Sequence, residues 1–431
     1  MSGPIELWDV FVAGCAPVFT QPSFELFAEL LSAWVLCPGR HTVTRMIRML
    51  DPSPRRAHDA YHRFLREGTW SMASLWRLLA VALVAALAGS LKALDLDLDD
   101  TLFHKTGRKV DGAGNFRDAV RSTTKRVVYA LGLNLVVMTL RIKAPWGGEP
   151  LALPINVRVY RKGGQSHLDL AVEMLREVTE WFPNRKIHLC ADGAYASLAR
   201  RMLPNCDFTS RMRRDAALYK TPPKRKKKRR GRPRKKGKRL ATPVEMARRT
   251  KNWTSAIIDC RGRPKERLIH VRQVLWYATC PTRQVLLVIV RDPAGKEPDD
   301  FFFTTDVEAY GPAVASRYAG RWSIEDTFRN VKQCLGGEDP QTWKGHGPER
   351  AACLSLWIYA AVWHWYIETQ GTKPTFFRTP WYPGKTTPSF ADALAALRRA
   401  LWGRRIFARS DSRPLQRKFA AILIGALAEA T

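Results

Sequence analysis

The sequence predicts a mixed α/β protein flanked by helical regions, and three observations carry that prediction. Apolar side chains recur at helical spacing near the start, with Phe24, Phe27, Leu30 and Leu31 followed by Val43, Met46, Ile47 and Leu50. The run Leu94-Asp95-Leu96-Asp97-Leu98-Asp99 then alternates with period two, as a strand does. An amphipathic stretch at 166–182 separates this strand region from a short apolar run at 187–191, the order of a mixed sheet with a crossing helix.

The elements follow in sequence. Asp51-Pro52-Ser53-Pro54 interrupts the first helices, and Tyr61, Phe64 and Leu65 resume the helical period. The texture changes to strands at Leu94. Residues 126–142, β-branched and apolar, form one strand or a pair, and residues 151–160 another. Between 201 and 306, strands at 255–260, 267–278 and 284–291 form a β-rich insertion. Helices return after Val314 and continue through Trp365, with a last set around 390–401 and 415–428. These shifts divide the chain into 1–92, helical; 93–200, α/β core, first part; 201–306, β-rich insertion with a basic linker at 221–240; 307–370, core, second part; and 371–431, helical.

Composition narrows the partners. Lys and Arg number 71 against 39 acids, a net charge of +32, and such an excess points to a polyanion, most simply nucleic acid. Arg45, Arg48, Arg55, Arg56, Arg63 and Arg66 stud the first helical region, as a DNA-binding domain or as a solvated basic face. Residues 224–239 are almost all Lys and Arg, which cannot pack a core and predicts disorder in the free chain. Arg230-Gly231-Arg232-Pro233-Arg234 within it resembles an AT-hook, whose arginines enter narrow minor grooves, although plain phosphate attraction would use the same residues.

Several classes are excluded. No two of the eight Cys stand at C-x-x-C spacing, and with no secretory signal the chain fits a reducing cytoplasm. The longest apolar run, 78–88, is too short to cross a bilayer, so no membrane role is expected. Gly384-Lys385-Thr386 resembles the end of a phosphate loop, but Thr379 stands where the first Gly is required, so no nucleotide cofactor is expected. Zinc-protease and serine-hydrolase signatures are absent.

Three acids carry the candidate chemistry. Asp99 and Asp192 close buried strands, where a carboxylate is costly unless paired or bound to metal. A solvated strand face for Asp99 and a helix N-cap for Asp192 are the competing readings. Tyr318, Arg321, Glu325 and Lys332 fall at helical spacing on one face, beside an apolar stripe of Ile324, Phe328, Val331 and Leu335. An ordinary salt-bridged helix would show similar charges.

Tyr318-x2-Arg321-x3-Glu325-x6-Lys332 resembles the Y-R-E-K signature of the DDE transposases of bacterial insertion sequences, in the insertion-sequence-four-like group. Asp99-Asp100-Thr101 resembles that group's first-Asp motif and Asp192-Gly193-Ala194-Tyr195 its second, in the same order. The resemblance covers roughly residues 94–343 and implies an RNase H-like catalytic core interrupted by the β-rich insertion. It implies that Asp99, Asp192 and Glu325 bind two Mg²⁺ ions, with Mn²⁺ as a substitute. These would activate water to nick a transposon end, then the freed 3′-hydroxyl for strand transfer, in cut-and-paste transposition. Tyr318, Arg321 and Lys332 would hold phosphates of double-stranded DNA. Trp253 or Trp276 would stack a flipped base, with a core position as the competing reading for each. A homodimer on paired ends, associated with the bacterial nucleoid, is the expected assembly. Asp100 competes with Asp99 as first ligand, since neighbours on a strand face opposite sides. A DNA-binding derivative without activity and a nuclease that cuts without joining are the alternatives.

Overall fold

The computed structural model describes residues 3–51, 56–107, 109–201, 205–223, 234–407 and 414–429. Five helices come first: α1 (Pro4–Ala13), α2 (Gln21–Leu36), α3 (Val43–Ile47), α4 (His58–Glu67) and α5 (Met72–Leu87). Local chemistry starts several of them, since Thr42 Oγ1 accepts from the Arg45 N–H and Ser71 Oγ from the Ser74 N–H. The apolar run at 78–88 lies largely in α5, which buries Leu75, Trp76, Leu79 and Leu83, and no single helix among the described residues is long and apolar enough to cross a membrane.

Next come β1 (Ala93–His104), β2 (Gly114–Arg117), β3 (Tyr129–Ile142), β4 (Leu151–Tyr160), α6 (His167–Trp181), β5 (Lys186–Ala191) and β6 (Cys206–Arg211). They give the sheet order β4-β3-β1-β5-β6, with β2 sharing the outer edge of β3. β1, β5 and β6 run parallel, while β3 is antiparallel to β1 and β4. This mixed sheet agrees with the RNase H-like core that the resemblance implies. Pro154 lies inside β4, where it can donate no hydrogen bond, and the β3–β4 register shifts beside it, between Met138 and Thr139.

The insertion adds α7 (Pro243–Arg249), β7 (Thr254–Cys260), β8 (Arg263–Val274), β9 (Val285–Arg291) and β10 (Asp300–Thr304). β10 pairs with β6, and β9, β8 and β7 follow outward, so the insertion prolongs the central sheet. Residues 224–233, most of the tract expected to be disordered, lie outside the described residues, and the end of the tract pairs with a neighbouring segment. Lys220 N–H donates to Lys238 O, Gly237 N–H to Lys220 O, and Lys236 lies 4.5 Å over the Tyr219 ring. Backbone pairing with a neighbouring segment supplies here what the tract's own side chains cannot.

The chain ends with α8 (Gly311–Gly320), α9 (Ser323–Cys334), α10 (Gly347–Gln370), α11 (Phe390–Phe407) and α12 (Pro414–Glu429). α10 is buried over nearly its whole length and ties the molecule together. Trp357 Nε1 donates to Leu75 O at 3.1 Å, Arg350 to Trp70 O at 2.9 Å, and Trp34 Nε1 to Leu335 O at 2.8 Å. One hydrophobic cluster therefore runs from the N-terminal helices through α10 into the sheet. Each fully buried Leu or Phe in it contributes about 1.5–3 kcal/mol.

Candidate active site

Leu94, Leu96 and Leu98 fill one side of β1, which turns Asp95, Asp97 and Asp99 to the other. Each carboxylate meets an arginine. Arg317 lies 3.3 Å from Asp95, Arg141 3.1 Å from the fully buried Asp97, and Arg321 Nη1 donates to Asp99 Oδ2 at 2.6 Å.

β5 brings the second acid. Its parallel register with β1 pairs Asp97 with Cys190 and Leu98 with Ala191, so one further step sets Asp192 beside Asp99 on the same face. Asp192 precedes a 3-10 segment, Gly193–Arg200, but its carboxylate makes no capping bond. The backbone carbonyl is instead held by Ser210 Oγ at 2.9 Å, and the side chain is exposed.

The third acid comes from the α8–α9 segment. A single continuous helix was expected, and the structure divides it after Gly320. Arg141 Nη1, pinned by Asp97, donates to Arg317 O at 2.5 Å and takes the acceptor that a continuing α-helix would use. The turn tightens accordingly, with Arg321 N–H on Tyr318 O, Ile324 N–H on Arg321 O and Glu325 N–H on Trp322 O. A Cβ on Gly320 would lie 2.9 Å from Arg141 Nη1, so glycine lets the guanidinium approach. The turn leaves Arg321 buried between acids, with Glu325 Oε1 3.9 Å from Nη2.

The electrostatics agree with a shared site. Burial pushes the Asp99 carboxyl up to about 6; Arg321 opposes the shift, and Asp100 and Asp192 reinforce it. Burial also raises Glu325, with Arg321 and Arg261 pulling down and Asp326 and Asp192 pushing up. Asp192 thus acts on both other acids.

Asp100 faces the opposite side. It accepts from Asn134 Nδ2 at 3.1 Å and Tyr195 Oη at 3.3 Å, and Asn134 in turn meets His167 at 2.9 Å. Burial, together with Asp100, Asp99 and Asp192, holds the Tyr195 phenol protonated. Geometry therefore joins Asp99, not Asp100, to Arg321.

Other expected residues sit elsewhere. Tyr318 is buried and stacks on Phe302 at 4.4 Å, so it packs the turn instead of facing a phosphate. Lys332 donates at 2.7 Å to the carbonyl of Leu102, three residues along β1 from Asp99, and lies 3.7 Å from Glu338. Trp276 is buried edge-on against Phe303 and offers no face to a base. Trp253 is half-buried, its ring covered by Arg291 at 4.3 Å. Arg234 is exposed, whereas Arg230 and Arg232 lie outside the described residues. In the N-terminal helices Arg56 pairs with Glu25, Arg63 with Asp59 and Arg66 with Glu67, while Arg45 and Arg48 stay exposed; Arg55 is not among the described residues.

Two neighbours escaped the sequence reading. Trp322, 41% exposed, lies on the turn with the Arg321 guanidinium 5.6 Å from its ring centre. Its place beside Arg321 in the spaced motif was the available signal. Arg261, at the tip of the β7–β8 hairpin, donates to Asp326 at 3.0 Å and Glu149 at 3.2 Å and so closes one flank of Glu325. Nothing in its local sequence marks that reach.

Three carboxylates are the hard oxygen donors that a divalent cation such as Mg²⁺ prefers, and two of them are accessible. The donor chemistry fits a metal. Among the described residues, however, no three such side chains are close enough to hold one ion as they stand. Arg321 occupies the space between Asp99 and Glu325 and would have to withdraw.

A family model described as DDE superfamily endonuclease matches residues 19–282, more than half of the chain. The matched stretch contains Asp99 and Asp192 and ends before Glu325. No curated protein matches the chain.

Proposed function

Because the chain belongs to the DDE superfamily endonuclease family, we propose that it is a DNA transposase of the cut-and-paste type, in the Y-R-E-K group of insertion-sequence enzymes. Nucleases of this superfamily generally use divalent metal ions. The observation that carries the finer reading is the register of Asp99 beside Asp192, with Arg321 and Glu325 folded over them by the α8–α9 turn.

Asp99, Asp192 and Glu325 would hold two Mg²⁺ ions, whose chemistry is to lower the pKa of a bound hydroxyl and to neutralise charge on the phosphate. The protein's residues do the rest. Arg321, freed from Asp99, binds a non-bridging phosphate oxygen, for which its planar fork is suited. Trp322, half-open beside Arg321, offers an aromatic face to a base displaced at the cut. Arg261 holds the β7–β8 tip against α9 and limits water on the Glu325 side. The positive surface, including Arg45, Arg48 and Arg234, attracts duplex DNA. The working form is a cytoplasmic homodimer on paired ends.

The test is a cleavage and joining assay with Mg²⁺ on DNA flanking the gene, comparing wild type with Glu325→Gln. Nicks at the element ends that vanish in the variant, with joined products from wild type, support the proposal. Nicks without joining leave a nuclease. Binding without cutting, in Mg²⁺ or Mn²⁺, overturns the enzymatic reading.

A further inference from the structure

Residues 371–389 join α10 to α11 and display aromatic rings that neither cutting nor joining employs. The segment contains Phe376, Phe377, Trp381 and Tyr382 with Lys373, Arg378 and Lys385, and it has no Asp or Glu. Phe377, Trp381 and Tyr382 are 59%, 82% and 60% exposed. Three neighbouring large rings left in water mark a surface with a partner.

The loop is built to hold them out. Asp392, at the start of α11, accepts from Lys385 Nζ at 2.6 Å, the Ser389 N–H at 2.7 Å, Ser389 Oγ at 2.6 Å and the Phe377 N–H at 3.3 Å. Tyr366 Oη donates to Thr375 O at 2.8 Å, and Thr375 Oγ1 to Gln370 at 2.6 Å. Pro374, Pro380, Pro383 and Pro388 stiffen the path. Arg378 and Lys385 lie 5.4 and 5.5 Å over the Phe376 ring, which sets cations among the aromatics.

The loop also adjoins a cleft that reaches β1. A cleft of about 740 Å³ lined by Asp95, Arg141, Lys143, Gly148, Arg261 and Arg317 begins at the acid row of β1. At its rim Gly148 meets the loop, since a Cβ there would stand 2.9 Å from Thr387 Cγ2. The cleft thus runs from Asp95, four residues before Asp99 on β1, to Gly148, which touches the loop at Thr387, with exposed Lys143 on the way.

We propose that residues 371–389 form a platform for unpaired DNA bases, adjoining the Gly148 rim of this cleft. The proposal rests on the DNA-cutting reading and names a partner surface for it. Bases stack on exposed rings whatever their identity, and Lys143, Lys373 and Arg378 attract the accompanying phosphates. The segment has no Leu, Ile, Val or Met, so it suits stacking better than burial in a lipid or an aliphatic groove.

The test uses the full chain in EDTA, where nothing is cut. Its probes are a fluorescein-labelled 20-nucleotide oligo-dT and, as reference, a mixed-sequence 20-base-pair duplex at the same salt. Oligo-dT should quench tryptophan fluorescence in wild type, and Trp381→Ala should lose that quench. Trp381→Ala and Phe377→Ala/Tyr382→Ala should each weaken oligo-dT binding about tenfold, with the duplex changed less than about twofold, and Trp381→Phe should restore most of it. Unchanged oligo-dT binding in folded Trp381→Ala overturns the platform. So does conversion of a dimer to a monomer by that variant, which would assign the rings to a second copy. If the alanine variants misfold, absence of quenching in wild type overturns it equally. Since no cutting is read, failure here is distinct from loss of Mg²⁺-dependent nicking.

Discussion

Arg321 donates to Asp99 Oδ2 at 2.6 Å and stands 3.9 Å from Glu325 Oε1, so one buried guanidinium spans two of the three candidate acids. It supplies, from the protein itself, the positive charge that a carboxylate row needs when no metal is bound. Burial opposes its charge, but Asp99 and then Tyr318 and Asp192 raise its affinity for the proton, so it stays a cation. The row behind it is built the same way, with Asp97 answered by Arg141 and Asp95 by Arg317.

Removing that cation should shift the titration of the acids. Asp99 is already pushed up to about 6, with Arg321 opposing the shift, so Arg321→Ala raises it further. Metal binding needs the ionised carboxylate; it therefore strengthens as pH rises through about 6 in wild type and at higher pH in the variant. Calorimetric Mg²⁺ titrations across pH 5–8 check the sign, and an unshifted profile would contradict the coupling.

Asp192→Asn and Glu325→Gln should each lower the cleavage rate by about 10²–10³-fold or more, the usual scale for removing one preorganised charge at a reacting centre. Duplex affinity should stay within about threefold, because phosphate attraction comes from the basic surface. Mg²⁺ should raise the melting temperature of wild type and not of Glu325→Gln, by mass action on the folded form.

Arg141→Ala strands a buried Asp97 and releases the α8–α9 turn. A cost of about 3–5 kcal/mol in chemical denaturation is expected, with Asp97→Leu/Arg141→Met recovering much of it. Catalysis should not recover in the double variant, since Arg317 O again lacks the guanidinium that shapes the turn. Equal recovery of stability and rate would deny Arg141 a positioning role.

Gly262 has φ +75°, and a Cβ there would lie 2.1 Å from the Gly148 carbonyl oxygen, a backbone atom no rotamer can move. Gly262→Ala should lift the β7–β8 tip, separate Arg261 from Asp326, and cost about 1–3 kcal/mol. Hydrogen exchange should rise at 259–263 while the β1–β5 pairing keeps its protection.

His41 is buried and held down to about 4, by burial first and by Arg398, with Asp339 pulling the other way. The unfolded chain binds the proton near 6.5, so stability from this residue is complete above 6.5 and is lost as pH falls toward 4. The full effect is about 3 kcal/mol. Wild type minus His41→Gln, measured by urea unfolding at pH 7, 5.5 and 4.5, should narrow progressively.

Local pattern accounts for the elements that were legible. The strand reading of 151–160 coincides with β4, and the helix reading of 166–182 with α6, because period two and period 3.6 each run long enough there to exceed noise. β2, β6 and β10 span only four to six residues, and what makes them strands is a neighbour already in place. For Trp276 the sequence offers a core position or a base platform, and β10 decides for the core by setting Phe303 against it.

By itself the sequence determined the side of β1 on which Asp99 lies, the strand end at Asp192, the spacing of Tyr318, Arg321 and Glu325, and a charge suited to DNA, since alternation, turns and composition are local quantities. Only the tertiary structure decided that Asp99 and not Asp100 meets Arg321, that the expected helix bends after Gly320, and that Trp322 stays open while Tyr318 is packed away. Those outcomes depend on Arg141 of β3 meeting Asp97 of β1, and strand register is a property of the whole sheet that no single segment encodes.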